Sequence, residues 1–338
     1  MRVLIIGGTG AFASRLTELC LERGDQVMLV TRGRRELPAP EGGGGQPTWL
    51  QTDRAHLGDH RAELDAFAPD AVVDVICFEP EHAQQLVDLF GSVRRVVMIS
   101  TVDVYGEDVG ASLVTEERRP APVTGYARGK RAAEQVLLNG LGSAATVVRP
   151  SHILGRGFRT AGLWGRTEHV LARVRAGLPI CVLDEGRGVM TPVWAGDLAA
   201  VVRATFDAPA ADGEVFNGVG REQITQRRYF GALAQHVGMP LRLASVPSSV
   251  VRRYLDVGNQ FAFHRPYSLE KAVGLLGHEP ASGIEQMMAE TVDAMPVHDL
   301  GSVDTPTAVA AASAAEDQII AMLQRHDVAL GRLLRELN

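Results

Sequence analysis

Residues 2–13 of the chain have the sequence RVLIIGGTGAFA. Residues 2–6 form a short apolar, β-branched run that predicts a buried strand, and residues 14–23 place apolar side chains on one face of a helix. A glycine turn between a strand and a helix brings the pyrophosphate of a dinucleotide against backbone N–H groups at the helix N-terminus. Gly7 permits the tight turn, and Gly10 lets the backbone approach the phosphates. The residues predicted to line this nucleotide site are Gly7, Thr9, Gly10, Ala11 and Phe12.

The residues that end the second predicted strand indicate which dinucleotide binds. An NAD site has an acidic residue there, which accepts hydrogen bonds from the ribose 2′-hydroxyl. This chain has Thr31, Arg32 and Arg34 in that region and no carboxylate until Glu36. Because a guanidinium group matches a phosphate in shape and charge, the pattern favours NADP. A solvated loop in an arginine-rich protein is the alternative interpretation, and NAD stays open.

Strands alternate with helices along the first half of the chain. Further strands are predicted at residues 26–31, 48–52, 71–77, 95–100 and 145–149. Because such alternation produces a parallel sheet covered by helices on both faces, we expect an α/β fold with a doubly wound parallel Rossmann sheet in residues 1–150. After Pro150 the alternation loosens, so residues 151–295 are expected to form mainly a smaller C-terminal substrate lobe. A segment near residues 190–219 is expected to return to the first domain.

Two segments are predicted after the substrate lobe. Residues 302–315 are rich in Ser, Thr, Pro and Ala and are predicted to be a linker. Residues 316–338 are predicted to form a final amphipathic helix with apolar residues at near-heptad spacing. These residues are Ile319, Ile320, Leu323, Leu330, Leu333, Leu334 and Leu337. Such a stripe needs a partner surface, which is either the rest of the same subunit or a second copy in a homodimer.

Composition limits the classes of protein to which the chain can belong. The 338 residues carry a formal net charge of −6, which argues against nucleic acid or an anionic membrane as the main partner. No apolar stretch approaches the length of a membrane span, and the first strand starts too early to leave room for a signal peptide. The three cysteines are too few and too widely spaced for a disulfide framework or a zinc site. We therefore expect a cytoplasmic protein that binds a small-molecule substrate and no metal.

A tyrosine followed four residues later by a lysine occurs twice, although the chain contains only two lysines. The first pair is Tyr126 with Lys130, and the second is Tyr267 with Lys271. Residues at i and i+4 lie on the same face of a helix. A lysine so placed lowers the pKa of the phenol, which can then exchange protons near neutral pH. Spacing alone does not choose between the two pairs.

The segments that precede the two tyrosine–lysine pairs distinguish them. Residues 95–99 predict a strand that ends at Thr101, and open parallel sheets bind ligands at this carboxyl edge. Tyr126 follows within one crossover, so Thr101, Tyr126 and Lys130 are expected to converge above a bound nicotinamide. Tyr267 follows no such strand and is expected in a surface element of the smaller lobe. The first pair is therefore predicted to be the catalytic one.

Three motifs in order resemble those of the extended short-chain dehydrogenase/reductase family, of the NAD-dependent epimerase/dehydratase type. They are the glycine motif Gly7–Ala13, the segment Ser100–Gly106 and the segment Tyr126–Lys130. Further segments similar to the family are Arg149-Pro150 after the sixth strand, residues 193–199 and residues 268–280. The resemblance covers about residues 1–295.

The resemblance implies roles for individual residues. Tyr126 would be the general acid/base. Lys130 would bind the nicotinamide ribose and lower the tyrosine pKa. Thr101 would occupy the position of the family's catalytic Ser or Thr. Asp53 resembles the residue that contacts the adenine, and Pro150 falls at a cofactor-binding position. The cofactor would supply the hydride, while the protein supplies position and protons.

The chain departs from the family pattern at two positions. Dehydratases of the family have an Asp-Glu pair directly after the catalytic Thr, where this chain has Val102-Asp103. Many members that act on sugar nucleotides have an Asn where this chain has His152. Both departures weigh against dehydration and against a sugar-nucleotide substrate. The candidate substrate contacts are Asp103, His152, Trp164 and Trp194, each of which has loop bracing or core packing as its alternative role.

The predicted function is that of an NADP-dependent oxidoreductase, a carbonyl reductase or alcohol dehydrogenase. Its substrate would be a small polar or ring-containing metabolite. One alternative is an epimerase or isomerase of a sugar or sugar nucleotide that holds NAD(P) tightly. A second alternative is a cofactor-binding sensor without turnover, against which the complete set of Thr101, Tyr126 and Lys130 argues.

Overall fold

The computed structural model describes residues 1–33, 45–249, 263–300, 302 and 304–336. The chain forms two compact units. The first contains Met1–Gly155, Thr191–Gln223 and Pro266–Gly283, and the second contains Arg156–Met190, Ile224–Arg265 and Ile284–Asn338.

The first unit is built on a seven-stranded parallel sheet. Its strands are β1 (Arg2–Ile6), β2 (Gln26–Thr31), β3 (Thr48–Gln51), β4 (Ala71–Asp74), β5 (Arg95–Ile99), β6 (Ala145–Pro150) and β13 (Val215–Gly218). They lie in the order β13-β6-β5-β4-β1-β2-β3, so the winding reverses between β1 and β4. This order is the doubly wound Rossmann topology, whose ligands bind at the carboxyl ends of the strands near that reversal. The predicted fold class is confirmed.

Helices cover the sheet of the first unit. They are α1 (Ala11–Glu22), α2 (Arg61–Phe67), α3 (Pro80–Phe90), α4 (Gly125–Leu141), α6 (Ala195–Ala204) and α8 (Glu270–Leu276). Helix α3 packs against α4, and α1 packs against α6. Strands β4, β5 and β6 are buried along their whole length, as their apolar sequences require of strands with both faces covered. Two short strands, β7 (Ile153–Leu154) and β12 (Val193–Trp194), pair beside the main sheet.

The second unit is built from short strands and four helices among its described residues. The strands are β8 (Ala161–Gly162), β9 (Gly165–Arg166), β10 (Ile180–Leu183), β11 (Val189–Met190), β14 (Ile224–Thr225) and β15 (Leu243–Val246). They pair as β8–β9, β10–β15 and β11–β14. The helices are α5 (His169–Arg175), α7 (Gln226–His236), α9 (Ile284–Asp293) and α10 (Thr307–Glu336). Helix α7 packs against α9, and α10 packs against α5 and β10.

Two predicted boundaries are wrong. Residues 266–283, which fall in the range 151–295 predicted to form mainly the substrate lobe, belong to the first unit. Residues 307–315, predicted to be part of a linker, form the start of α10. The alanine-rich composition of 308–315 explains the second error, because alanine has the highest helix propensity of all residues. No helix in the described part of the chain is long and apolar enough to cross a membrane.

The apolar stripe of α10 packs within the second unit along its described side chains. Ile319, Ile320 and Leu323 lie against a buried cluster that contains Leu163 and Cys181. The side chains of Leu330, Leu333, Leu334 and Leu337 lie outside the described residues. The homodimer contact stays a prediction.

Candidate active site

The glycine motif forms the turn between β1 and α1. Gly7 has a φ of +88°, and a Cβ atom there would lie 2.8 Å from Cγ2 of Ile76, so a larger residue would be strained and crowded. Gly10 is the N-cap of α1 and offers no side-chain acceptor to the first turn. The N–H groups at this helix end are therefore oriented to meet an anion. The motif fits the pyrophosphate of a dinucleotide, with Thr9 in the turn and Ala11 and Phe12 at the start of α1.

The residues expected to contact the adenosine half of the cofactor lie at or just after the ends of β2 and β3. The Thr31 hydroxyl accepts a hydrogen bond from the Gly33 N–H at 3.1 Å, and the Arg32 side chain is exposed. Asp53 caps a 3-10 turn through Oδ1, which accepts from the Ala55 N–H at 3.0 Å. Arg34, also expected at a 2′-phosphate, lies outside the described residues. An exposed guanidinium next to the end of β2 is suited to a phosphate.

Helix α4 carries the first tyrosine–lysine pair. It begins at Gly125, after Thr124, whose hydroxyl accepts from the Ala127 N–H at 3.1 Å. Tyr126 is 48% exposed, whereas Lys130 is only 1% exposed. The Lys130 Nζ lies 5.9 Å from the centroid of the Tyr126 ring. The pair therefore combines an accessible phenol with a buried cation beside it.

The buried ammonium of Lys130 reaches the carboxyl end of β5. Its Nζ donates to the carbonyl oxygen of Ile99 at 2.7 Å. Thr101 follows two residues later and is buried, and its hydroxyl oxygen accepts from the Asp103 N–H at 3.1 Å. Burial lowers the pKa of Lys130 to about 8. The structure thus brings Thr101 and the Tyr126–Lys130 pair to one edge of the sheet.

A buried polar network that the sequence analysis did not identify lies behind this edge. The Glu134 carboxylate accepts from the Arg149 guanidinium at 2.9 and 2.7 Å. It also accepts from the Ser100 hydroxyl at 2.6 Å. Burial alone would raise the pKa of Glu134, but the hydrogen bonds from Arg149 hold it below its usual range. Glu134 is one helical turn beyond Lys130, and that spacing was the available sequence signal.

Phe78 is a residue near Tyr126 and Lys130 that the sequence analysis did not identify. It follows β4 by four residues and is 40% exposed. Its ring centroid lies 6.2 Å from that of Tyr126 and 4.5 Å from the Lys130 Nζ. A single phenylalanine in a loop carries no pattern from which its tertiary neighbours could be read.

The second tyrosine–lysine pair lies in a different environment from the one predicted. Tyr267 is 2% exposed, and its ring packs 6.0 Å from that of Tyr105. The prediction of a surface element is wrong because Tyr267 forms a β-bridge with Val114 inside the first unit. The Lys271 Nζ donates to a Glu214 carboxylate oxygen at 2.7 Å. Since α8 begins only at Glu270, the two residues do not share a helix.

The four candidate substrate contacts are divided between the units. Asp103 lies in a 3-10 turn after β5, and His152 is buried between β6 and β7. Trp194 is partly buried, with the Arg15 guanidinium 5.5 Å from its ring centroid. Trp164 lies in the second unit, where it packs on a buried apolar cluster. Pro150 is the last residue of β6, at the carboxyl edge.

The chain is similar in sequence to known proteins. The sequence model of the NAD dependent epimerase/dehydratase family matches residues 3–218. The 2'-dehydrokanamycin reductase of Streptomyces kanamyceticus is 24% identical over 259 residues, covering 76% of this chain and 72% of that protein. The chloroplast stem-loop binding protein of 41 kDa b of Arabidopsis thaliana is 25% identical over 299 residues, covering 82% of this chain and 75% of that protein.

Solved structures show the same fold. UDP-glucuronic acid 4-epimerase from Bacillus cereus, in complex with UDP-glucuronic acid and NAD, superposes with a TM-score of 0.70 at 17% identity. The superposition covers 87% of this chain and 98% of that one. At this identity the likeness establishes the fold.

Proposed function

The chain belongs to the NAD-dependent epimerase/dehydratase family, and we propose that it is an NADP-dependent reductase of a carbonyl group on a small, ring-containing metabolite. Membership of the family makes it an NAD(P)-dependent oxidoreductase or epimerase. The observation that carries the proposal is the accessible Tyr126 phenol beside the buried Lys130 ammonium. Such an arrangement suits proton transfer to a substrate that approaches from outside the core.

Tyr126 is the proton donor in this proposal. A tyrosine with its ordinary pKa of about 10 holds its proton too tightly to exchange it readily at pH 7. Positive charge within a few ångströms stabilises the phenolate, and the Lys130 ammonium supplies that charge. As the carbonyl is reduced, the phenol proton passes to the substrate oxygen. The hydride to the carbonyl carbon would come from a bound nicotinamide.

Thr101 polarises the carbonyl in this proposal. Its oxygen already accepts the Asp103 N–H, which leaves its own O–H to donate. A hydroxyl donor aimed at the carbonyl oxygen stabilises the negative charge that develops there. The same oxygen then receives the proton of Tyr126, so the two hydroxyl groups act on one atom.

The preference for NADP rests on Arg32. Its guanidinium is exposed directly after β2, where an NAD site has a carboxylate. NAD itself is the cofactor of the family as a whole. The preference for NADP over NAD is therefore a separate proposal, which a comparison of NADPH and NADH binding tests.

The reductase interpretation is supported by the name of the relative from Streptomyces kanamyceticus. Val102 and His152 further disfavour dehydration and sugar-nucleotide binding, because they depart from the family at positions used for those purposes. A stem-loop binding role, as in the name of the Arabidopsis relative, is disfavoured by the net charge of −6.

One assay tests the proposed function. Purified protein is mixed with NADPH and a set of cyclic ketones and amino-sugar ketones, and absorbance is followed at 340 nm. We expect stoichiometric consumption of NADPH with formation of the alcohol. Conversion of a sugar or sugar nucleotide without net consumption of cofactor would replace the reductase with the epimerase. Cofactor binding without any conversion would favour the sensor.

A further inference from the structure

The loop after β4 is held by two backbone contacts of Phe78, one with helix α3 and one with helix α4. Its N–H donates to Nδ1 of His82 at 3.1 Å. On the other side, a Cβ atom at Gly129 would lie 2.6 Å from the Phe78 carbonyl oxygen. The loop can approach α4 this closely only because residue 129 has no side chain. The Phe78 ring is thus held in place next to the residues of α4 on either side of Gly129.

The Phe78 ring lies over the end of the Lys130 side chain. The Nζ is 4.5 Å from its centroid, within the range of a cation–π contact. The Tyr126 ring lies 5.9 Å from the same Nζ, and the Ile99 carbonyl accepts its hydrogen bond. Lys130 is 1% exposed, while Phe78, whose ring lies over the Lys130 Nζ, is 40% exposed. Phe78 therefore stands between Lys130 and solvent.

The two carboxylates whose charges act on Lys130 are engaged with other partners. Asp74, at the end of β4, forms an ion pair with Arg54. Glu134, on α4, forms an ion pair with Arg149. Burial raises the pKa of Cys77 to about 12, so this thiol is neutral near pH 7. Exclusion of water is therefore the main environmental influence on the Lys130 ammonium, ahead of any single neighbouring charge.

We propose that Phe78 is a positioning residue that keeps water away from the Lys130 ammonium and so sets the strength of its action on Tyr126. The proposal rests on the proposed function in assigning that action to catalysis. Two charges interact more strongly when water is excluded between them, because the effective dielectric constant falls. A dry ammonium therefore stabilises the Tyr126 phenolate more than a hydrated one. The same exclusion of water lowers the pKa of the ammonium, which therefore loses its proton at a lower pH.

The two-lysine composition permits a direct test. The protein is produced with lysine labelled with ¹³C at Cε, and the pKa of each lysine is followed by NMR in the wild type, Phe78→Ala and Phe78→Leu. Admission of water in Phe78→Ala should raise the pKa of Lys130 by about one unit. Phe78→Leu keeps most of the apolar cover and should raise it by less than half as much. An unchanged Lys130 pKa in Phe78→Ala would overturn the proposal.

Two controls distinguish a local effect of Phe78→Ala on the pKa of Lys130 from a general disturbance of the structure. Lys271 serves within each sample, because its ion pair with Glu214 lies away from Phe78 and its titration should not move. Leu275→Ala removes an exposed apolar side chain of similar accessibility on α8 and should leave Lys130 unchanged. Equal shifts in Leu275→Ala and Phe78→Ala would also overturn the proposal.

The titration requires no turnover, so it separates this proposal from the proposed function. If the wild type reduces ketones, the alkaline limit of turnover in Phe78→Ala should move upward by the same shift as the Lys130 pKa. A shifted titration with an unshifted pH profile would overturn the link to catalysis. If no ketone is reduced at all, the reductase assignment falls, while the NMR result still decides whether Phe78 excludes water from Lys130.

Discussion

Tyr126 with Lys130 and Tyr267 with Lys271 have the same spacing in the sequence and opposite environments in the structure. In the first pair the tyrosine is exposed and the lysine buried, and in the second the tyrosine is buried and the lysine half-buried. The difference arises from where the helices begin, because Gly125 precedes the first tyrosine and Glu270 follows the second. A catalytic phenol must be accessible to its substrate, while the ammonium group that lowers its pKa must be shielded from water. The first pair meets both requirements.

The largest effect is expected when the charge of the first lysine is removed. Lys130→Met should lower turnover by roughly 10²-fold or more, because the Tyr126 phenolate loses its stabilising cation. Replacing a buried ammonium with an apolar side chain of similar length should leave the free energy of unfolding unchanged or raise it. Turnover at 340 nm and denaturant unfolding measure the two effects. Retention of wild-type turnover would remove Lys130 from the mechanism.

The second largest effect is expected on cofactor binding when Arg32 is replaced. Arg32→Ala should weaken NADPH binding by about one to two decades, since a charge-assisted contact contributes roughly 1.5–3 kcal/mol. NADH binding should change little, because NADH has no 2′-phosphate. Titration calorimetry with both cofactors makes the comparison. Equal losses for NADPH and NADH would reject the assignment of Arg32.

The two pairs should also differ in their response to pH. Burial lowers the pKa of Lys130 to about 8, so its charged form is present below that pH and is lost above it. Turnover should therefore decline as the pH rises through about 8. A pH profile of turnover under saturating cofactor measures the limit. Turnover that stays constant to pH 10 would show that a charged Lys130 is not required.

The smallest effect is expected at the second lysine. Lys271→Met breaks a partly exposed ion pair with Glu214, and such pairs contribute at most about 1 kcal/mol. Turnover should stay at the wild-type level, while the free energy of unfolding falls by no more than that amount. Loss of turnover together with normal folding would mean that the second pair has a catalytic role after all.

The sequence was sufficient to predict features that depend on local pattern. The strand, turn and helix around Gly7 are adjacent in the chain, and the position of Thr101 follows from the end of one apolar strand. The choice of the first tyrosine–lysine pair as the catalytic one used the same kind of local information and stays a prediction. Each of these features depends on backbone propensities and hydrophobic periodicity within a short window.

Features that depend on distant partners could not be predicted in this way. Phe78 is near Lys130 because Gly129 admits its loop, and neither residue shows this contact in its own surroundings. Tyr267 is buried because its segment pairs with Val114, far away in the sequence. The buried pair of Glu134 and Arg149 likewise joins α4 to β6. Tertiary packing determines these positions.

The most direct measurement compares Tyr126→Phe with Tyr267→Phe under identical conditions. Each change removes one hydroxyl group and keeps the ring, and the Tyr126 ring is largely exposed, so Tyr126→Phe should fold and bind NADPH as the wild type does. We expect its turnover to fall by about 10²-fold or more, because the proton donor is lost. Tyr267→Phe should retain nearly all its turnover. The opposite outcome, with Tyr126→Phe active and Tyr267→Phe inactive but folded, would contradict the proposed mechanism.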